Sequence, residues 1–158
     1  MNRFVRVALG SVAVIVMITL SACSPSASET VDHERLAAAV QDSSPDIADA
    51  VVEDGTDGTS RYLFVEIVLV GEELDSGTAA TTMEVIAQEV PDVYESVEFV
   101  ARTADGDRVE VEAPLRAAGL DPLMSGRLRA SVLTDALRGY TAPATTATGR
   151  PLDRPVIE

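Results

Sequence analysis

Apolar and polar positions recur along this chain with two periods, and each change of period marks an element. Over Asp32 to Gln41, Leu36, Ala37 and Val40 fall on one side of a helical wheel, and Ser43, Ser44 and Pro45 then stop the pattern. Ile47 to Glu53 reads as a strand, followed by the dense turn signal Asp54-Gly55-Thr56-Asp57-Gly58. From Arg61 to Val70 the odd positions Leu63, Val65, Ile67 and Leu69 are all apolar, and the even positions Tyr62, Phe64, Val68 and Val70 are interrupted only by Glu66. A strand apolar on both faces belongs in the middle of a sheet, with something covering each side.

The second half is read the same way. Thr78 to Val90 is a helix behind a cap at Asp75 or Ser76. At ~100° per residue it gathers Ala79, Ala80, Met83, Ile86, Ala87 and Val90 on one side, and Pro91 ends it. Val93 to Arg102 and Arg108 to Ala113 alternate as strands around the hairpin signal Ala104-Asp105-Gly106-Asp107. A last helix is predicted over Pro122 to Arg138, with Asp121 as its cap, Pro122 at its first position and Gly139 past its end. The order α-β-β-α-β-β-α implies an α+β domain: a four-stranded mixed sheet packed by two or three helices. The link from strand 61–70 through helix 78–90 to strand 93–102 has the form of a crossover between parallel strands.

The amino-terminal segment follows neither period. Arg3 and Arg6 precede an uncharged run from Val7 to Leu20, 14 residues long. That falls short of the roughly 20 that a helix needs to cross the hydrocarbon layer. A positive start, a short apolar core and the small residues Ser21 and Ala22 together describe a cleaved export signal. The exit Leu20-Ser21-Ala22-Cys23 resembles the bacterial lipobox at all four positions. That resemblance implies a diacylglycerol on the Cys23 thiol and removal of residues 1–22. The expected product is a lipoprotein held on the extracytoplasmic side of a cell membrane. Residues 23–31 form a lipidated cysteine and flexible tether, 32–139 a single domain, and 140–158 a Pro- and Thr-rich disordered tail.

Charge and chemistry narrow the functional classes. Cys23 is the only cysteine, so lipidation leaves no thiol for a disulfide, a metal or a nucleophile. Ten arginines, no lysine and 26 acids remain after the signal, a formal net charge of −16. Such a body repels the nucleic acid backbone, so nucleic acid is not expected as a partner. Residues 42–112 hold 19 acids against Arg61, Arg102 and Arg108. His33 is the only histidine and no Gly-x-Ser-x-Gly turn occurs, which argues against a serine triad and places His33 on the exposed first turn of a helix. Zinc is disfavoured for the same reason. Glu53, Asp54 and Asp57 lack the rhythm of a calcium loop and suit a plain hairpin. The sequence therefore predicts no catalytic residues, no metal and no cofactor.

One stretch resembles a known family. Val65-Glu66-Ile67-Val68-Leu69-Val70-Gly71, the helix after it, and Val90-Pro91-Asp92-Val93-Tyr94-Glu95-Ser96-Val97-Glu98-Phe99 look like the core of a BON domain, whose order is α-β-β-α-β-β. Asp92 stands where that family usually carries a glycine. The resemblance implies an envelope module that associates with phospholipid or mediates assembly. The leading expectation is a non-enzymatic envelope lipoprotein, attached to the membrane through Cys23, that binds or scaffolds an envelope protein or lipid; a small carboxylate-based hydrolase is the other class. Within the predicted final helix, Arg127 and Arg138 fall on its narrow polar side, so the apolar remainder would cover the second face of strand 61–70. The two arginines would then point outward, either as a basic recognition patch or paired with acids of the same domain.

Overall fold

The computed structural model describes residues 31–144. In chain order its elements are α1 (His33–Asp42), β1 (Ile47–Asp57), β2 (Ser60–Leu69), α2 (Ser76–Glu89), β3 (Ser96–Thr103), α3 (Glu112–Ala117), β4 (Met124–Gly126), β5 (Arg129–Leu133) and α4 (Thr134–Leu137). The class is α+β. Four principal strands form a mixed sheet, the three-residue β4 extends one edge, and the order across the sheet is β1-β2-β3-β5-β4. β1 and β2 are an antiparallel hairpin, and α2 carries the chain from β2 to the parallel strand β3.

Local sequence explains the elements that match expectation. Asp32 caps α1 by accepting from the Arg35 amide at 3.1 Å, and Leu36 and Val40 turn inward. Asp75 caps α2, its Oδ1 accepting from the amides of Gly77 at 2.7 Å and Thr78 at 3.1 Å. Both caps satisfy amide donors that a helix start would otherwise leave bare. The β1–β2 turn is tighter than the sequence suggested. β1 runs through to Asp57, and Gly58 at φ +61° with Thr59 at negative φ makes the two-residue connection that suits a twisted hairpin.

Two predicted elements are corrected. Residues 108–113 do not form a strand: Arg108 makes a single bridge to Arg102, the Val109 amide reaches the Ala101 carbonyl at 3.0 Å, and α3 begins at Glu112. The alternation there was real, since Val109 and Val111 are buried. It reports a link whose side chains are alternately buried and exposed instead of a ladder. Residues 122–138 do not form a helix either, but a short hairpin and one helical turn. β5 runs antiparallel to β3, pairing Val97 with Val132 and Phe99 with Ala130. Burying Ala130 and Val132 against the free edge of β3 satisfies backbone and side chain together, while a continuous helix would carry Gly126 in its interior at about 1 kcal/mol. The stop signal at Gly139 was correct, for that residue follows α4 at φ +70°.

The core lies on one face of the sheet. Leu63, Val65, Ile67 and Leu69 of β2 and Val97, Phe99 and Ala101 of β3 are buried there with Leu36, Val40, Met83, Ile86, Leu115 and Leu137 of the four helices. Val31 and Tyr140 also pack against this core, and the Tyr140 hydroxyl donates to the Ala118 carbonyl at 2.8 Å. The packed body therefore reaches one residue beyond each of the expected limits, 32 and 139.

Candidate functional site

Without the expected helix over 122–138, no helix among the described residues covers the second face of the sheet. Strand alternation places Val51 of β1, Tyr62, Phe64, Glu66 and Val68 of β2, Glu98, Val100 and Arg102 of β3, and Ser131 and Leu133 of β5 on this side. Tyr62, Phe64 and Val68 are half-buried, whereas Val51 and Leu133 are 40% and 38% exposed. At a rise of about 3.4 Å per residue, Tyr62 to Val68 alone spans roughly 20 Å. Two ion pairs lie across the face: Arg102 Nε donates to Glu66 Oε2 at 2.7 Å, and Arg129 pairs with Glu98. Glu66 and Val100 are cross-strand neighbours, and these charged side chains flank Val100, which is fully buried although no helix among the described residues covers it. At one end the Tyr62 ring lies over its cross-strand partner Gly55, where an added Cβ would come within 2.1 Å of the ring. Gly55 therefore lets the ring lie flat on the sheet.

The opposite face carries a polar cluster that sequence reasoning missed. Asp54 is in register with Leu63, so its side chain turns toward the helices, away from Glu53 and Asp57. That alternation prevents Glu53, Asp54 and Asp57 from converging on a cation. Asp54 Oδ1 instead accepts a hydrogen bond from the buried Tyr94 hydroxyl and lies 3.1 Å from His33 Nε2, while Oδ2 sits 3.5 Å from Arg61. The Arg61 guanidinium stands 5.1 Å from the centre of the Tyr94 ring. The Tyr94 hydrogen bond, followed by His33 and Arg61, holds the Asp54 carboxyl below its ordinary pKa against the opposing effect of burial. Burial, then the neighbouring Asp54, pushes the Tyr94 phenol upward. The carboxylate stays charged and the phenol keeps its proton, so the cluster pins α1, the end of β1 and the turn before β3 together. His33 lies on the first turn of α1, as expected, but contacts a carboxylate 21 positions away.

A cleft of about 490 Å³ opens near the other end of the sheet, its rim carrying Glu72, Glu73, Glu110 and Arg108 and its floor Leu74 and Val109. Among the described residues its lining holds no histidine, serine or threonine. Of the predicted recognition pair, Arg127 lies in the β4–β5 turn and Arg138 follows α4, at opposite ends of β5 instead of one turn-spaced helical face. Arg138 pairs with Asp92 at 2.9 Å and Asp135 at 3.0 Å. Cys23, the tether through Thr30 and the tail from residue 145 lie outside the described residues. Among the described residues no helix is long and apolar enough to cross a membrane. The strand that would complete the BON order at 108–113 is absent, leaving that resemblance on the β2–α2–β3 unit. No family model matches the chain, and neither the curated proteins nor the solved structures yield a significant match.

Proposed function

We propose that this protein is a lipid-anchored, non-enzymatic binding module of the cell envelope that docks a partner on the open face of its sheet. The observation that carries the reading is that face: Tyr62, Phe64 and Val68 lie half-buried on a side of the sheet that no helix among the described residues covers, with Val51 and Leu133 exposed at its flanks. A chain that buries its other face behind four helices while leaving Val51 and Leu133 exposed and Tyr62, Phe64 and Val68 only half-buried has kept a partly apolar surface for contact. The polar clusters support binding over catalysis. Asp54 and Asp75, the carboxyls most engaged by hydrogen-bond donors, are both held below the ordinary aspartate pKa, the reverse of what a general acid needs. The anchor rests on Leu20-Ser21-Ala22-Cys23 and confines the domain to the outer side of a membrane.

The test uses the full-length protein extracted from its native envelope in mild detergent. Size-exclusion chromatography with light scattering is expected to find it in a particle larger than one processed chain with its micelle. Val51→Arg with Leu133→Arg is expected to return it to the monomer without loss of far-ultraviolet circular dichroism. A wild-type monomer, or a large particle indifferent to both substitutions, would contradict the reading. Palmitate labelling is expected to mark the parent and to be lost in Cys23→Ala.

A further inference from the structure

The sheet has an unoccupied edge as well as an open face. β1 is an outermost strand, and none of the described residues pairs with its far side. The hairpin fixes which backbone groups point there. In a two-residue connection, Asp57 and Ser60 close the ladder as a hydrogen-bonded pair, and such pairs alternate along an antiparallel ladder. Val51, Glu53 and Gly55 therefore bond to β2, while Ala50, Val52, Asp54 and Thr56 direct their backbone groups outward. Side chains attend to the beginning of this edge: Asp49 Oδ1 accepts from the Ala50 amide at 2.9 Å, and Gln41 Nε2 donates to the Ala48 carbonyl at 2.8 Å. Among the described residues the outward amides of Val52, Asp54 and Thr56 have no acceptor.

Charge selects what can pair there. β1 carries Asp49, Glu53, Asp54 and Asp57 and no basic residue. Asp49, Glu53 and Asp57 share the open-face side of the strand with Val51. For an incoming antiparallel strand these positions are the non-hydrogen-bonded ones, where facing side chains approach most closely and opposite charges stabilise. A second copy of β1 would set acids against acids, so the acidic strand repels its own kind, which is how native edges avoid self-association. The same pattern favours a strand of opposite charge. We propose that β1 accepts an additional strand from an extended basic segment of an envelope protein, with arginine or lysine side chains opposite Asp49, Glu53 and Asp57. The incoming strand widens the open face at the Val51 flank, and the inference rests on reading the protein as a binding module.

Full-length lipidated protein in non-ionic detergent is titrated with a ten-residue peptide alternating arginine and valine. Binding is followed by fluorescence anisotropy and amide hydrogen exchange. Exchange at Val52, Asp54 and Thr56 is expected to slow at least tenfold. The same peptide N-methylated at its valines keeps its charge but loses the edge donors, and its affinity is expected to fall at least tenfold. That comparison separates strand addition from general attraction to an acidic body. Glu53→Arg with Asp57→Arg, whose fold is verified by unchanged protection of β2 and β3, should prefer an alternating glutamate and valine peptide. Indifference to N-methylation, unchanged preference after charge reversal, or no protection along 52–56 would each overturn the proposal. So would a chain ending at Ala144 that binds the peptide tenfold more tightly, since its own carboxy-terminal segment would then be the occupant, or dimerisation through β1. If the peptide fails while the native extract still shows the large particle, strand addition falls and the docking face stands.

Discussion

At the scale of single residues, the side chains that fix local geometry are mostly the short polar ones. Asp75 is the clearest: burial opposes its charge, but the Thr78 hydroxyl and the amides of Thr78 and Gly77 outweigh that cost and lower its pKa. Asp75→Ala is expected to cost about 1 kcal/mol at neutral pH, measured by urea unfolding. Because the folded pKa is depressed, that stability is complete above the ordinary value of 3.8 and disappears as pH falls through the lower folded value. The difference between parent and mutant should therefore be constant near neutrality and narrow only below pH 3.8. Thr82 shows the opposite case. It is fully buried in α2 and its hydroxyl has no hydrogen-bond partner, so Thr82→Val, close in shape, is expected to raise stability by about 1 kcal/mol. Unchanged or lower stability would mean that the hydroxyl finds a partner in solution. The Asp75 cap was legible in sequence because a cap acts within three residues. The Asp54, His33 and Tyr94 cluster was not, because its members lie 21 and 40 positions apart and meet only once β1 and β3 share a sheet.

At the scale of elements, α1, β1, β2, α2 and β3 were legible because each carries its own period and stop signal. The region after Thr103 was not. Pro122, Gly139 and the apolar residues between them have the composition of a helix, but Val132 and Ala130 are more deeply buried as partners of Val97 and Phe99. Tertiary pairing overrode a local pattern there, as it commonly does for short apolar runs. Nuclear Overhauser contacts between Phe99 and Ala130 and between Val97 and Val132 are expected, together with extended Cα shifts over 129–133. Helical shifts from 122 to 138 would refute the hairpin. Phe99 is fully buried at the centre of this arrangement, and Phe99→Ala is expected to cost about 3 to 5 kcal/mol in urea unfolding.

At the scale of the whole molecule, the loss of that helix turns a two-sided sheet into a one-sided one. The sequence shows that β2 is apolar on both faces, but not which face the rest of the chain covers. The proposed lipid address at Cys23 rests on the sequence alone, whereas the open face became visible only in three dimensions. This face, and not the helical side, is proposed to meet a partner on the membrane. The most direct measurement is photocrosslinking in intact cells, with a photoreactive amino acid placed in turn at Val51, Phe64 and Leu133 on the sheet and at Glu34 and Gln88 on the helices. A discrete crosslinked product is expected from the sheet positions and none from the helical ones. Crosslinks confined to the helical positions, or equal at all five, would contradict that proposal.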